Sequence, residues 1–273
     1  MAQHSDPLPS GPAYRLDRVT GIRAGEVLVG STPTLTTVQS AGEAGENASD
    51  PSIGPVESSS VAWRVSAENA LFLTQVGADT PRELSLAKPG EPSVDRYGNV
   101  WATQGGLAGA VVMFPANEES EPVKIPVGHG GTPIKVALSP DGARIIFLVR
   151  GNGGSTAEVL MGTVVRDPRT HAYSVTAVHQ LDQFSSGTVD IAWMGETTVV
   201  GLAVQDSGEA SVQVLPLRGW IQTYSAPPDV VRVTASTSIG SILVQRNDNT
   251  LFQRAGAAWI ELGDETKDIN FAG

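Results

Sequence analysis

The sequence predicts an all-β chain folded as a β-propeller, of six blades with five as the alternative count. Three observations carry this. Short β-rich runs (EVLVG, ALFLTQ, AVVMF, RIIFLVR, TVVGLAV, SVQVLPL, SILVQ) recur between turn-forming stretches such as KPGEP, RYGN, SPDG, GNGG and RNDN. Short strands spaced roughly 8–12 residues apart belong to sandwiches, barrels or propellers. A four-residue pattern then repeats six times, its anchors about 42 residues apart on average, the span of one four-stranded blade. The last copy begins at Asp268, close to Gly273, so its blade must borrow strands from the other end of the sequence.

The six copies start at Ser60, Glu91, Lys135, Asp190, Arg232 and Asp268. Their first position is polar, the second mostly branched apolar, the third always small and the fourth mostly large and apolar. Side chains alternate across a strand, so positions two and four share an apolar face. A second face of small residues suits the crowded innermost strand of a blade. The region Tyr14 to Val38 holds strand-like pieces without a copy of the pattern. Pairing the N- and C-terminal segments in one blade would close the ring and remove an open edge.

Two stretches read as unstructured. Residues 1–13 are polar and Pro-rich, a tail or junction, and residues 14–273 form the propeller domain. Ser40 to Ser60 is rich in Gly, Ser, Ala and Glu with almost no large apolar residue. It reads as a long surface loop, with an interdomain linker as the alternative.

Composition narrows the function. The chain has 273 residues, 30 of them Gly, and 18 basic against 29 acidic residues for a net charge of -11. A general nucleic-acid binder carries a basic face, so that class is disfavoured. With Cys at 0, disulfides, thiolate metal sites and cysteine nucleophiles are excluded. No apolar run reaches the ~18 residues of a membrane span. The His, Gly and Ser patterns of metalloproteases, phosphate loops and serine hydrolases are absent, so no catalytic residue, cofactor or metal is predicted.

If the repeats are blades, Ser60, Glu91, Lys135, Asp190, Arg232 and Asp268 ring one mouth of the central channel. Glu91, Asp190 and Asp268 could act as the paired carboxylates of a propeller glycoside hydrolase, or serve a sugar or small-ligand site. Lys135 and Arg232 lie between them and would pair with them, which makes a ring of ion pairs. Ser139-Pro140-Asp141-Gly142 and Arg96-Tyr97-Gly98-Asn99 read as hairpin turns. Trp63 and Trp193 share a repeat position and predict inter-blade packing. Trp220 is the aromatic expected at the surface, a candidate partner contact. His129 reads as a loop residue, and Glu118-Glu119-Ser120-Glu121 as a solvated hairpin.

Four segments in order carry a family resemblance: Pro92 to Trp101 (PSVDRYGNVW), Lys135 to Phe147 (KVALSPDGARIIF), Met161 to Arg166 (MGTVVR) and Val189 to Val200 (VDIAWMGETTVV). Together they resemble the C-terminal β-propeller domain of the actinobacterial lipoprotein LpqB family. The resemblance covers about residues 60–273. It implies an extracytoplasmic domain of a lipid-anchored envelope protein, the anchor lying in the parent protein. It also implies an accessory role toward the MtrA–MtrB two-component system, with the extracytoplasmic sensor of the kinase as protein partner. No catalytic residue carries over from that family.

Overall fold

Alternating burial organises the chain into strands, and turn residues break it into hairpins. The computed structural model describes residues 18–31, 34–43, 45, 47–55, 58–65, 67–78, 80–117, 121–151, 157–237, 240–262 and 267–271. Among them there are 24 strands and no helix. They form six four-stranded antiparallel sheets. These are the blades of a six-bladed propeller, which settles the count against five.

Blade 1 is built from both ends of the described chain. Lys267–Phe271 (β24) is its innermost strand, followed outward by Arg18–Arg23 (β1), Glu26–Ser31 (β2) and Thr34–Glu43 (β3). Val19 stands opposite Phe271 and Thr20 opposite Asn270, so the expected closure by terminal pairing is present. Blade 2 runs Ala48–Ile53 (β4), Ser60–Val65 (β5), Ala70–Gln75 (β6) and Arg82–Leu84 (β7). Blade 3 runs Ser93–Val94 (β8), Val100–Ala102 (β9), Ala110–Phe114 (β10) and Val123–Pro126 (β11). In blade 4 the order is Thr132–Leu138 (β12), Arg144–Arg150 (β13), Ala157–Arg166 (β14) and Tyr173–Gln180 (β15). Blade 5 has Thr188–Trp193 (β16), Thr198–Val204 (β17), Ala210–Pro216 (β18) and Gln222–Ser225 (β19). Blade 6 has Val230–Ser236 (β20), Ser241–Arg246 (β21), Leu251–Ala255 (β22) and Ala258–Leu262 (β23).

Blade 2 corrects the sequence reading twice. Ser40 to Ser60 is not a long surface loop: it holds the end of β3 and all of β4. Because β4 is the innermost strand, Ser60 sits on the second strand and does not face the channel. Asp50-Pro51-Ser52-Ile53 fills the inner position, with the same polar, Pro, Ser, branched order as Glu91-Pro92-Ser93-Val94. The stretch lacks the bulk to order itself, but neighbouring inner strands cover it from both sides. Trp63, on β5, is therefore not equivalent to Trp193, on the innermost β16. The 1–13 tail and Glu118 to Ser120 lie outside the described residues.

Burial follows the blade interfaces. Ile22, Val27, Val61 and Trp63 pack between blades 1 and 2. Trp101, Val136, Ile145 and Phe147 pack between blades 3 and 4. Ile146, Leu148, Ile191 and Trp193 pack between blades 4 and 5. Both tryptophans thus serve inter-blade packing, though from different strands. The predicted turns form as hairpin bends. Gly98 and Gly142 adopt φ values of 83° and 68°, the left-handed region that glycine occupies without a Cβ penalty.

Candidate functional site: the charged ring in the central channel

Each inner strand begins at one mouth of the channel and carries a polar residue near that end. Five of the six shift register there. Ladder pairing slips between Pro133 and Lys135, Thr188 and Asp190, and Val230 and Arg232, and similar shifts interrupt β4 and β24. A bulge adds one unpaired residue and re-aims the side chains beside it. Asp50 and Asp268 reach the same end with left-handed φ values of 55° and 52°, a conformation that Asp tolerates better than most residues.

Asp50, Glu91, Lys135, Asp190, Arg232 and Asp268 consequently converge, one from each blade. Lys135 Nζ lies 2.5 Å from Glu91 Oε2 and also bonds Asp190 Oδ1, tying blades 3, 4 and 5. Arg232 bonds Asp50 and stands 3.6 Å from both Glu91 and Asp268, so it reaches blades 1, 2 and 3 from blade 6. Arg64 on β5 backs Asp50, with Nη2 at 2.6 Å from Oδ2. Glu91, Lys135, Asp190, Arg232 and Asp268 meet in these ion pairs, and Asp50 stands in the inner-strand position read as Ser60 in the sequence. Ser60 is buried and accepts the Gln75 amide at 3.2 Å.

Burial and charge set the protonation. Burial alone would lower the Lys135 ammonium, but Asp190 and Glu91 outweigh it and hold Lys135 above the ordinary lysine value. Asp190 is pushed up to about 6, first by burial and then by the Glu91 charge, against the pull of Lys135 and the Val233 N–H. Both partners of that pair shift upward: two carboxylates raise the ammonium, while for Asp190 burial costs more than the shared ammonium returns. Burial lowers Arg232, with Asp268 opposing.

Beyond the ring the small third position builds a second circuit. Ser52 Oγ accepts the Val94 N–H at 3.2 Å and Ser93 Oγ accepts the Leu138 N–H at 3.0 Å. Thr234 Oγ1 accepts the Phe271 N–H at 3.2 Å. Each bond joins one blade to the next. Where the third position is alanine, other groups take over. The Trp193 indole donates to the Ala137 carbonyl at 3.0 Å, and Asp190 Oδ2 accepts the Val233 N–H at 2.7 Å. The channel here leaves about 20 Å³ open to water centres, between Ser52, Ser93, Lys135, Ala192, Thr234 and Asn270. One water needs about 10–15 Å³ on that measure, so beside the ring there is room for little more than one water.

The remaining candidates separate cleanly. Asp95 spends its carboxylate on the N–H groups of Tyr97 and Asn99, the Asn99 amide and the Trp101 indole. Asp141 likewise caps its own turn through the Ala143 N–H at 3.0 Å. His129 Nδ1 accepts the Gly131 N–H at 3.1 Å and Nε2 faces Glu158 at 3.2 Å, so it braces a loop. Among the described residues no group of His, Asp and Glu is arranged to hold a metal ion. Trp220, in the turn between β18 and β19, is 87% exposed.

A family model described as the lipoprotein LpqB beta-propeller domain matches residues 25–269. The chain belongs to that family. The match covers strands of all six blades, β1 excepted, and agrees with the motifs read in the sequence. No curated protein matches the chain. Among solved structures, the hydrazine synthase of Kuenenia stuttgartiensis is similar with a TM-score of 0.56 at 12% identity, over 84% of this chain and 70% of that one. That likeness shows the fold alone. As an LpqB-type propeller, the chain is a domain of an envelope-associated lipoprotein family. No described helix is long and apolar enough to cross a membrane.

Proposed function

We propose that this LpqB-type propeller is a non-catalytic, extracytoplasmic interaction domain, accessory to a two-component sensor kinase of the MtrA–MtrB type. The observation that carries the reading is the paired charge ring at the channel mouth. The axial mouth is where a propeller hydrolase would set free carboxylates around a substrate. Here Glu91 and Asp190 share Lys135, while Asp50 and Asp268 share Arg232. A buried, paired ring gives a rigid disc rather than a pocket, and a rigid disc suits the presentation of loops to a partner. Trp220 supplies one exposed aromatic of the type that anchors protein interfaces, beside the exposed Arg218 in the same turn.

The test is binding of this propeller, and of the full lipoprotein, to the purified extracytoplasmic sensor of the kinase by biolayer interferometry. Saturable binding that Trp220→Ala weakens at least tenfold supports the reading. Absence of binding by both proteins overturns it. Turnover of oligosaccharide substrates that Glu91→Gln abolishes would instead favour the propeller glycoside hydrolase.

A further inference from the structure

The ring does not balance. Its described members bring four carboxylates (Asp50, Glu91, Asp190, Asp268) against three cations (Lys135, Arg232, Arg64). Excess charge held away from water is costly, and the cheapest remedy for a carboxylate is to take up a proton.

Geometry identifies where the excess sits. Asp50 has two guanidiniums, Arg64 and Arg232, for one carboxylate. Asp268 faces Arg232 at the edge of the same guanidinium cluster. Glu91 and Asp190 flank a single ammonium, and Arg232 reaches only Glu91, at 3.6 Å. Asp190 is also the more enclosed of the two, its side chain 4% exposed against 24% for Glu91. The N–H groups of Ile191 and Val233 bond its two oxygens. Among the described side chains, the charged groups facing the pair from the surrounding inner strands are Lys135 from β12 and Arg232 from β20, with Asp50 and Asp268 beyond Arg232.

We infer that the ring takes up one proton at Asp190, which shares its single ammonium with Glu91, as the medium passes from neutral to mildly acidic, and that the propeller is most stable in that protonated form. The upward shift of Asp190 toward about 6 agrees with this site. Its folded value lies above the ordinary 3.8, so the folded state holds the proton longer than the unfolded chain. Stability therefore falls as pH rises through the folded value. This makes the axis of the propeller a pH-responsive lock.

The whole chain, labelled at its carboxyl carbons, is titrated by NMR from pH 4.5 to 7.5. A step at Asp190 between pH 5 and 7 is expected, and Glu91→Gln should move it down because the like charge is gone. Urea unfolding across the same window should show the unfolding constant rising about 25-fold more for the wild type than for Asp190→Asn. Subtracting that variant removes the histidine background. Ordinary titration of Asp190 below pH 5, or parallel stability curves, would overturn the inference. If Asp190→Asn does not fold, the wild-type NMR titration decides alone.

Discussion

Replacing Asp50 with Ala should be among the most damaging single changes in the channel. The carboxylate is 1% exposed and holds two guanidiniums, Arg64 at 2.6 Å and Arg232. Removing one partner of a buried pair costs about 3–5 kcal/mol, because the remaining charge stays enclosed. The Arg64 and Arg232 side chains are 29% and 27% exposed, so water repays part of that and about 3 kcal/mol is appropriate. Asp50 also has φ 55°, where alanine costs about 1 kcal/mol more than Asp. The sum is about 4 kcal/mol. At about 2.1 cal/mol/K per residue of unfolding entropy, that lowers Tm by about 7 °C. Urea unfolding at pH 7 measures it, with an unchanged slope showing that the unfolded state is the same. Asp50→Asn keeps an acceptor and a tolerant backbone, so it should lose only about half as much. The double variant Asp50→Ala with Arg232→Met should recover part of the loss. A loss under about 1 kcal/mol for Asp50→Ala would refute the ring as an energetic unit. So would a double variant that is simply additive.

Other consequences are simpler to state. Ser52→Ala and Ser93→Ala each strand a buried inter-blade N–H and should cost about 1–3 kcal/mol by urea unfolding. Trp220→Ala should leave stability within about 0.5 kcal/mol, since the side chain is exposed, while weakening partner binding by about tenfold or more in interferometry. Gly98→Ala should destabilise by about 1–2 kcal/mol or more, because φ is 83° and an added Cβ would stand 2.5 Å from Ser60 Oγ. Tyr173 is pushed up to about 12, chiefly by burial and next by Asp95. The folded state thus keeps that phenol protonated after the unfolded chain has lost it, and stability is lost as pH rises from about 10 toward 12. Tyr173→Phe should flatten the alkaline limb of the unfolding curve relative to the wild type.

The architecture was legible because a propeller repeats. Four inner strands advertise themselves by a charged residue, a small residue and two apolar ones on one face. The terminal closure followed from an inner-strand copy that needed partners. What hid was the inner strand of blade 2. Composition reads Ser40 to Ser60 as too polar to order, and taken alone that is correct. Its order comes from neighbours on both sides, which no local window registers. The signal that could have found it was the repeat: Asp50-Pro51-Ser52-Ile53 copies Glu91-Pro92-Ser93-Val94 about 41 positions earlier. Choosing Val61-Ala62-Trp63 instead rewarded apolar bulk, although inner strands are the positions where bulk is least welcome. The bulges were not legible, because Ile134, Val189 and Val231 look like ordinary strand residues.

The displaced residue changes the meaning of the ring. With Ser60 in place, the six positions would hold three acids and two bases, and each cation could bridge its immediate neighbours. Asp50 puts three carboxylates side by side, from blades 1, 2 and 3, and among the described side chains Arg232 is the inner-strand cation that reaches them all. Blade 1 is the blade whose inner strand, β24, joins β1 from the far end of the chain. Arg232 therefore ties the late-arriving strand to the blades on its other side, while Lys135 ties the opposite half. Six inner strands of similar shape can slide past one another with little change in apolar contact. Charges at fixed heights forbid that sliding, because a shift of two residues separates each ion pair by about 7 Å. The ring need not add much net stability to be useful; its cost falls mainly on the wrong registers. The serine and threonine bonds a level below repeat the same constraint with neutral groups at three junctions, between blades 2 and 3, 3 and 4, and 6 and 1.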